Sequence, residues 1–509
     1  MKTHYNAQAI SSIKAILSLA CLVVGLSTQA QNVYFPDGQF EGRLLIDPAI
    51  NTNADTAISF AEAAAFTGTI NVQGPGAIAS LVGIEAFTNL RRLLCGVNGI
   101  TELNLSANTA LTRLDCVSNL LTTLDLTHNL NLDTLLCNNN QLTSLTFAQN
   151  TSLVYIECYN NSFTSVDFSP NLALTHLDCG GPYLPTLDLS ANIALTYLDC
   201  GGNSFSSLDL SANTALTHLN CWGNLGDSLN ITNNAALKVL HCSSSNLTSL
   251  DLSGNPALDT LDCSSNFLTS LDISHNTALI HFDCSSNQID SLDASSNTAV
   301  IYLNCQVNEI ASIELPANSS LKYLICSVNL LTSIDVSHSI NLLYLRLGPN
   351  QLTSLDVSAN SALFDLSCAN NQLTTLNVRN GNNINFDYFY AQNNPALFCI
   401  EVDDDAYSSQ YWTNIDSIAH FSEDCTVGIE KETDAFQIYP NPTNATVTLL
   451  NLPHTSSISV HSQMGQLILR KCTSEKSIYI DMDGQAEGVY WLTITNGQSI
   501  SKHKVIKTS

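Results

Sequence analysis

Hydrophobic and polar residues recur with a strict 21-residue period through the middle of the chain. Each unit follows approximately L-x-x-L-x-C-x-x-N-x-L-T-S-L-D-L-S-x-N-x-A, and fourteen units stay in register. Because successive side chains of a strand face opposite ways, Leu114 and Cys116 should point inward and Arg113, Asp115 and Val117 outward. The second half of the unit alternates too, which predicts a second short strand on the back of each coil. One unit cannot bury its own leucines, so the units should stack around a shared core.

The stretch LTRLDCVSNLL, Leu111 to Leu121, resembles the leucine-rich repeat pattern L-x-x-L-x-L-x-x-N-x-L, with Cys116 in the last leucine position of the strand. The resemblance implies a parallel β-solenoid in which one strand per coil lines a curved face. The predicted fold class is therefore mainly β, with a leucine-rich-repeat solenoid over residues 90–394. Its parallel sheet lies on one face and its second short strands lie on the back.

Two columns of asparagine mark the corners of the predicted coil. Asparagine tolerates left-handed backbone, and its amide can hydrogen-bond turn groups of its own coil and of the neighbouring coil. The columns therefore predict a structural ladder. Their members include Asn119, Asn140, Asn161, Asn203 and Asn266 after the strand, and Asn129, Asn192, Asn213 and Asn255 after the second half of the unit.

Thirteen cysteines share one position of the repeat, and only Leu347 interrupts them. Zinc needs about four thiolates converging tetrahedrally, whereas a straight column brings only neighbours together. Neighbouring Cα atoms about 4.8 Å apart fall within disulfide range, so scattered pairing stays open. The substitution at Leu347 favours unpaired thiols that fill the core as small apolar side chains.

The two cysteines after the ladder, Cys399 and Cys425, predict a disulfide of a different kind. They enclose Trp412 in a segment that we expect to cover the exposed end of the solenoid, as a C-terminal cap at 395–425. An exported protein can keep such a disulfide. Cys472 has no predicted partner.

The N-terminus has the features of a secretory signal peptide, which we place at 1–30. Its apolar run AILSLACLVVGL is too short to span a membrane, and no other stretch approaches about 20 apolar residues. The chain is therefore expected to be exported without a transmembrane anchor. An N-terminal cap with short helices should follow at 31–89, beginning with an amphipathic helix in FPDGQFEGRLLI.

One loop of this cap, NTNADTAISFAE, matches the spacing of an EF-hand calcium loop. Position 1 is Asn rather than Asp, and position 6 is Thr56 rather than Gly. The alternative is an Asn-rich turn that leads into a helix with Glu62 in its first turn. The calcium ligands would be Asn51, Asn53, Asp55, the carbonyl of Ala57, and Glu62.

The repeat ends before residues 426–435, which we interpret as a linker, and 436–509 is a series of short predicted strands. This segment resembles the type IX secretion C-terminal sorting domain of Bacteroidetes in YPNP, MGQ, GVYWLTI and KHKVIK. The resemblance implies an immunoglobulin-like β-sandwich recognised by the translocon and sorting machinery, then removed, with the passenger released or linked to surface lipopolysaccharide. The residues that carry the motifs are Tyr439, Pro440, Asn441, Pro442, Gly465, Gly488, Tyr490, Lys502 and Lys504.

Aromatic and polar residues recur at the outward positions of the predicted strands. Rigid amphipathic rings favour binding surfaces, although Tyr and His also suit half-exposed strands. We predict a ligand-binding strip on the strand face. Its members are Tyr155, Tyr159, His176, Tyr197, Asp199, His218, Trp222, His241, His281 and Asp283.

The formal net charge of −27 argues against a nucleic-acid partner, which would need clustered basic residues. No nucleophile, zinc-protease or phosphate-binding motif is present, so we expect a non-enzymatic protein without a cofactor apart from calcium in the cap. The sequence predicts a secreted or outer-surface protein that binds a protein or glycan partner in adhesion or interaction. The alternatives are a structural spacer array and a glycan-active enzyme.

Overall fold

The computed structural model describes residues 31–75, 77–181, 184–224, 226–317, 320–425, 436–452, 456–495 and 500–509. The predicted signal peptide and linker lie outside these residues. The chain divides into two compact units, Met1–Glu423 and Asp424–Ser509. Each unit has its own hydrophobic core.

A parallel sheet of sixteen strands, one per coil, forms the strand face of the first unit. The leucine-rich-repeat solenoid predicted from the period is therefore confirmed. Its strands are β1 (Thr69–Asn71), β2 (Arg92–Leu94), β3 (Arg113–Asp115), β4 (Thr134–Leu136), β5 (Tyr155–Glu157), β6 (His176–Asp178), β7 (Tyr197–Asp199), β8 (His218–Asn220), β9 (Val239–His241), β10 (Thr260–Asp262), β11 (His281–Asp283), β13 (Tyr302–Asn304), β15 (Tyr323–Ile325), β16 (Tyr344–Arg346), β18 (Asp365–Ser367) and β20 (Tyr388–Tyr390).

Neighbouring strands pair between equivalent repeat positions, so Leu177, Leu198 and Leu219 stand in line and are buried. The residues on either side of each leucine face outward because side chains alternate along a strand. A ladder cysteine follows thirteen of these sixteen strands on the inward side and packs into the same continuous core.

The predicted second strand of the coil is regular in only part of the solenoid. In other coils the second-half leucines, such as Leu250 and Leu252, are still buried but the backbone forms no named strand. Apolar packing therefore fixes this side of the coil even where ladder hydrogen bonds are missing. The strands are β12 (Ser291–Asp293) with β14 (Ser312–Glu314), and β17 (Ser354–Asp356), β19 (Thr375–Asn377), β21 (Cys399–Glu401) and β22 (His420–Ser422).

The asparagine column after the strand links adjacent coils through its amides, as predicted. Leu268 donates its backbone N–H to Oδ1 of Asn287 (3.0 Å), and Nδ2 of Asn287 donates to the carbonyls of Cys263 and Cys284 (both 3.0 Å). One buried side chain thus satisfies backbone groups of two coils, which are costly to bury unpaired.

The left-handed residue of this corner is not the ladder asparagine, as the sequence suggested, but the residue before it. Ser265 and Ser286 have φ of 56° and 57°, and Gly202 and Gly223 occupy the same place with φ of 71° and 68°. The ladder asparagine must keep a backbone conformation that directs its amide inward, so the turn is made one residue earlier.

The second asparagine column also joins coils. Nδ2 of Asn255 donates to the carbonyl of Ile231 and to the carbonyl of Asn234, both at 3.0 Å. Asn255 is fully buried. Each coil is therefore fastened to the previous one at two corners, and the register cannot shift without breaking both sets of bonds.

The thirteen ladder cysteines are all buried and free, and Leu347 is buried in the same slot. Two neighbours, Cys305 and Cys326, approach to 3.2 Å between sulfur atoms as a thiol hydrogen bond. Burial raises the pKa of Cys137 to about 12, and it also raises the pKa of the next ladder thiol, Cys158. They are therefore protonated, apolar core side chains at neutral pH.

Helices occur only near the ends of the described part of the solenoid unit. Helix α1 (Gly38–Leu45) begins after Asp37, whose Oδ1 caps Gln39 and Phe40 and whose Oδ2 accepts from Ala79 and Ser80. This carboxylate thereby ties the first helix to the first coil. The other helices are α2 (Phe60–Ala65) and α3 (Asp405–Tyr411), with 3₁₀ turns at Ile84–Ala86 and Asn383–Asn385.

The opposite end of the solenoid core is covered by an aromatic cluster around Trp412. Its indole stacks on Phe389 with ring centroids 4.2 Å apart and lies 5.7 Å from Phe421. Cys399 and Cys425 are both disulfide-bonded. The segment predicted as a cap thus buries the last apolar surface of the stack.

The second unit consists of two antiparallel sheets around a separate core, consistent with the predicted immunoglobulin-like sandwich. Val447 and Leu449 from one sheet and Ile458 and Leu492 from the other are buried in that core. The strands are β23 (Gln437–Tyr439), β24 (Thr446–Leu450) and β27 (Ser477–Asp481) in one sheet, and β25 (Ser456–Ser462), β26 (Leu467–Thr473), β28 (Gly488–Thr495) and β29 (Ile500–Lys507) in the other.

Replacing a ladder asparagine should destabilise the solenoid in a graded way. Asn287→Ala leaves the buried Leu268 N–H without a partner and removes one of the two amide donors to the Cys263 carbonyl, the other being Asn266, at a cost on the order of 2 kcal/mol. Asn287→Ser should cost less, because Ser245 occupies the equivalent slot and its Oγ donates to Cys221 and Ser243 carbonyls. Urea unfolding followed by circular dichroism should rank wild type above N287S and N287S above N287A. Equal midpoints for all three proteins would contradict the ladder's role.

The state of the ladder cysteines can be counted. In protein lacking residues 1–30 and kept free of reductant, only the exposed Cys472 should react with a thiol reagent in the native state. Fourteen thiols should react after denaturation, because all thirteen ladder cysteines and Cys472 are free. A denatured count far below fourteen would show that ladder thiols are paired or blocked.

Candidate functional site

The predicted binding residues lie on the strand face in three rows. We call the first outward position of each strand the ring row, the last outward position of the strand the carboxylate row, and the position after the ladder cysteine the outer row. Across β5–β8 the ring row is Tyr155, His176, Tyr197 and His218; the carboxylate row is Glu157, Asp178, Asp199 and Asn220; and the outer row is Tyr159, Gly180, Gly201 and Trp222.

The ring row of β5–β7 is a continuous stack. The centroids of Tyr155 and His176 are 3.9 Å apart at an interplanar angle of 4°, and those of His176 and Tyr197 are 4.1 Å apart at 10°. In-register parallel strands lie about 4.8 Å apart, which places equivalent rings face to face. His218 continues the row with a tilted ring 6.0 Å from Tyr197.

His176 is neutral in this stack. Burial between the tyrosines lowers its pKa, and the attraction of Glu157 and Asp199 only partly opposes that effect. A neutral imidazole packs between two phenol rings without a desolvated charge. The stack is therefore an uncharged aromatic ledge beside a charged row.

The carboxylate row contains three acidic residues on consecutive strands. The Tyr155 hydroxyl donates to Glu157 Oε1 at 2.5 Å, and Asn220 Nδ2 donates to Asp199 Oδ2 at 2.8 Å. Asp178 accepts only from the backbone N–H of Gly180, at its Oδ1 (3.2 Å), among the residues that the structure describes. The middle carboxylate is therefore the least satisfied of the three.

The pKa of Asp178 is raised to about 7. Burial is the main cause, and repulsion from Asp199 and Glu157 adds to it against the stabilising Gly180 N–H. Like charges on neighbouring strands disfavour each other's ionised form. This part of the face therefore carries a carboxyl group that titrates near neutral pH.

Trp222 borders the carboxylate row on the side opposite the rings. Its indole lies against Gly201, where an added Cβ would come within 2.3 Å of the ring. The next outer-row position, Gly180, has no side chain either, and an added Cβ there would come 3.1 Å from the Gly201 carbonyl oxygen and 3.3 Å from Asp199 Oδ1. Glycine at Gly201 makes room for the indole, and the two outer-row positions between Tyr159 and Trp222 carry no side chains.

Further along, the face carries a second and shorter arrangement of the same kind. His281 stacks on Tyr302 at 4.3 Å, and Asn304 Nδ2 donates to Asp283 Oδ2 at 2.8 Å. His241 lies between the two groups, with Nδ1 3.9 Å from Asp262 Oδ2. The residues of the predicted strip therefore lie on one face of the solenoid, but they form two separate clusters on it.

The sequence prediction omitted several residues of these rows. Glu157 and Asp178 belong with Asp199, and counting back from Asp199 in steps of 21 residues finds both of them. It also missed Arg346, whose guanidinium lies 4.6 Å from the Tyr344 ring centroid and donates to Asp365 Oδ2 at 2.7 Å. No periodicity predicts that contact, because it depends on the direction of one long side chain.

The loop predicted to bind calcium is closed by its own hydrogen bonds. Glu62 caps α2 through Ser59 and also accepts from Thr52 and from the Asn53 backbone, and these bonds outweigh burial and lower its pKa. Asn51 is buried and donates Nδ2 to the carbonyls of Leu45 and Asp55.

Asp55 Oδ1 accepts the N–H of Ala57, and Asp55 Oδ2 accepts from Asn53 Nδ2. The five residues predicted as ligands are thus brought into one loop, but a cation would have to displace the donors on Glu62. Nowhere among the described residues are three or more His, Cys, Asp or Glu grouped to hold a metal ion. Calcium binding here stays a prediction.

The sorting motif residues surround the last strand of the second unit. Asn441 Nδ2 donates to the Lys504 carbonyl and its Oδ1 accepts from the Ile506 N–H, so YPNP is fastened to β29. Tyr490 is buried and donates to the Ala486 carbonyl, whereas Lys502 and Lys504 are exposed. Tyr439, Pro440 and Pro442 are also exposed, and Gly465 and Gly488 have positive φ of 80° and 153°.

Residues 437–508 match the family described as the secretion system C-terminal sorting domain. The chain is a leucine-rich-repeat protein with a type IX secretion sorting domain. No curated protein matches it. This leucine-rich-repeat protein is similar to the functional domain of InlJ from Listeria monocytogenes, a structure that includes a cysteine ladder, with 27% identity, TM-score 0.53, and coverage of 94% of this chain and 100% of that one.

The solenoid is also similar to a leucine-rich-repeat protein of Leptospira interrogans, with 23% identity, TM-score 0.56, and coverage of 60% of this chain and 85% of that one. That likeness concerns the fold. The sorting domain indicates export of the leucine-rich-repeat protein to the cell surface or beyond. None of the helices that the structure describes is long and apolar enough to cross a membrane.

The raised pKa of Asp178 makes the stability of the leucine-rich-repeat protein depend on pH. Between about pH 4 and about pH 7 the folded state holds a proton on Asp178 that the unfolded chain has lost, so stability should fall as pH rises. Asp178→Asn removes this contribution and should reduce the difference in melting temperature across that window. Asp188→Asn, at an exposed carboxyl whose pKa is lowered by hydrogen bonds from Ser190, should leave the downward trend intact. An unchanged difference in D178N would contradict the assignment.

Proposed function

We propose that this chain is a secreted or cell-surface leucine-rich-repeat protein that binds a protein or glycan partner through its strand face, in adhesion or interaction. The observation that supports this most is the stack of Tyr155, His176 and Tyr197 beside the half-exposed Trp222. Rigid rings offer a large contact area at a low cost in conformational entropy. Four neighbouring coils present such rings together.

The outward residues on the other side of the coil are less suited to recognition. Asp188 and Asp209 each accept the N–H of the serine two residues later, Ser190 and Ser211, so these carboxylates close local turns. The residues two positions before and after each of them are Thr186, Ser190, Ser207 and Ser211, which are small and polar rather than aromatic. The strand face therefore supports binding better than the second half of the coil does.

The presence of the sorting domain supports a location at which the solenoid would encounter such a partner. Export brings the solenoid to the outer surface or beyond. We propose that the sorting domain is then removed and that the solenoid acts either released or linked to surface lipopolysaccharide.

Replacing Tyr197 and Trp222 together should strongly weaken partner binding without unfolding the solenoid. Other coils carry threonine (Thr134, Thr260) and serine (Ser243) at these positions, so Tyr197→Thr with Trp222→Ser uses residues that the repeat already accepts. The affinity for proteins or glycans captured on arrays should fall about tenfold or more, because rings of this kind are typical binding hot spots. The same loss should appear with intact cells.

Leu172→Thr with Ile193→Thr is the matched control. These exposed apolar residues lie at the turn after the second half of the coil, where Thr151 and Thr214 stand in neighbouring units. This variant should bind as the wild type does. Equal binding by Y197T/W222S would exclude the strand face, and no binding by the wild type to any surface would favour a spacer array.

A further inference from the structure

The acidic part of the carboxylate row has no cation of its own. Glu157, Asp178 and Asp199 form no ion pair with any of the residues that the structure describes. The twelve ring-row, carboxylate-row and outer-row positions of β5–β8 include no lysine or arginine. Three carboxylates on adjacent strands therefore face outward without a positive partner, and a cation that approached them would relieve their repulsion.

Another part of the strand face, on β16, already binds a cationic side chain of the chain itself. Arg346 occupies the carboxylate-row position of β16, in register with Ile325 of β15. Its guanidinium lies over the Tyr344 ring, 4.6 Å from the centroid, and its Nη2 donates to Asp365 at 2.7 Å. A guanidinium thus fits between a ring-row tyrosine and a neighbouring carboxylate. β5–β8 offer both of those elements but lack the guanidinium.

The walls of the β5–β8 surface suit a planar cation. The ring stack lies on one side of the carboxylates, and the Trp222 indole lies on the other, against Gly201. Indole and phenol faces attract guanidinium groups, which stack on rings more readily than ammonium groups do. Asp178 lies at the middle of this surface, where its Oδ1 accepts the N–H of Gly180.

We propose that the trough formed by Tyr155, Tyr197, Asp178, Asp199 and Trp222 binds an arginine side chain presented by an exposed basic segment of a protein partner. The inference rests on the proposed function and names the chemistry of its ligand. The guanidinium packs against the half-exposed Trp222 indole and donates to the carboxylates, the same pair of ring and carboxylate contacts that Arg346 makes with Tyr344 and Asp365 within the chain. The net charge of −27 adds long-range attraction for a basic segment.

Fluorescence anisotropy with a labelled arginine–serine repeat peptide tests the proposal on the full exported chain. The peptide should bind, its affinity should fall as salt increases, and lysine–serine and glutamate–serine peptides of equal length should bind less tightly or not at all. Asp178→Asn with Asp199→Asn should weaken binding about tenfold, the equivalent of losing one good charge-assisted contact. A lysine peptide that binds as tightly as the arginine peptide would overturn the assignment to guanidinium.

Asp188→Asn with Asp209→Asn is the matched control, since it removes the same two charges from the same two coils on the other half of the repeat. It should change the affinity by less than about twofold, because exposed distant charges are screened. Equal weakening by both double variants would show that only the overall acidity attracts the peptide, which would overturn the proposed site.

Trp222→Gly provides a second test that does not depend on the carboxylates. Gly180 and Gly201 occupy the equivalent positions, so the repeat accepts glycine there. Loss of arginine-peptide affinity in W222G, at an unchanged circular dichroism spectrum, supports the trough, and unchanged affinity overturns it. If the arginine peptide does not bind while Y197T/W222S still loses its natural partner, the guanidinium assignment fails and the binding face stands.

Discussion

The hydrogen bonding of buried asparagine amides across coils is the constraint on which the rest of the solenoid depends. Asn287 bonds backbone groups of its own coil and of the previous one, and at the other corner Asn255 bonds two carbonyls of the previous coil. Because each amide spans about one full repeat, consecutive coils can stack only with equivalent positions in line. A solenoid that relied on leucine packing alone would tolerate slippage between coils, since apolar contacts are not directional.

This fixed register explains both the favourable and the unfavourable contacts on the strand face. It places His176 between Tyr155 and Tyr197 at stacking distance, and it equally places Asp178 between Glu157 and Asp199. The second arrangement costs stability, because like charges in partly buried positions raise each other's pKa. These carboxylates do not stabilise the fold. A ligand that binds to the surface therefore explains their presence better than folding does.

The period and the alternation of leucine with polar residues were enough to predict the coil, the strand and the inward cysteine, because each depends only on spacing. The regular second strand was predicted from the same alternation, but in most coils burial of residues such as Leu250 does not require ladder hydrogen bonds. Left-handed backbone was assigned to the ladder asparagines and belongs to their predecessors, such as Ser286. Contacts of single long side chains, such as Arg346 with Asp365, follow from rotamers that no repeat pattern specifies.

Inward and outward positions of the repeat therefore differ in how much the residue type varies from coil to coil. The inward slots allow little variation, since leucine at Leu347 is the only replacement of cysteine across fourteen units. The outer row, in contrast, is serine in Ser243, Ser264 and Ser285 but aromatic or glycine from Tyr159 to Trp222. Packing cannot explain this difference, because those side chains project away from the core. Glycine at Gly201 instead matches the space that the Trp222 indole occupies, so the residues of these coils are fitted to one another on the surface. Such mutual fitting outside the core is what a preorganised binding site requires.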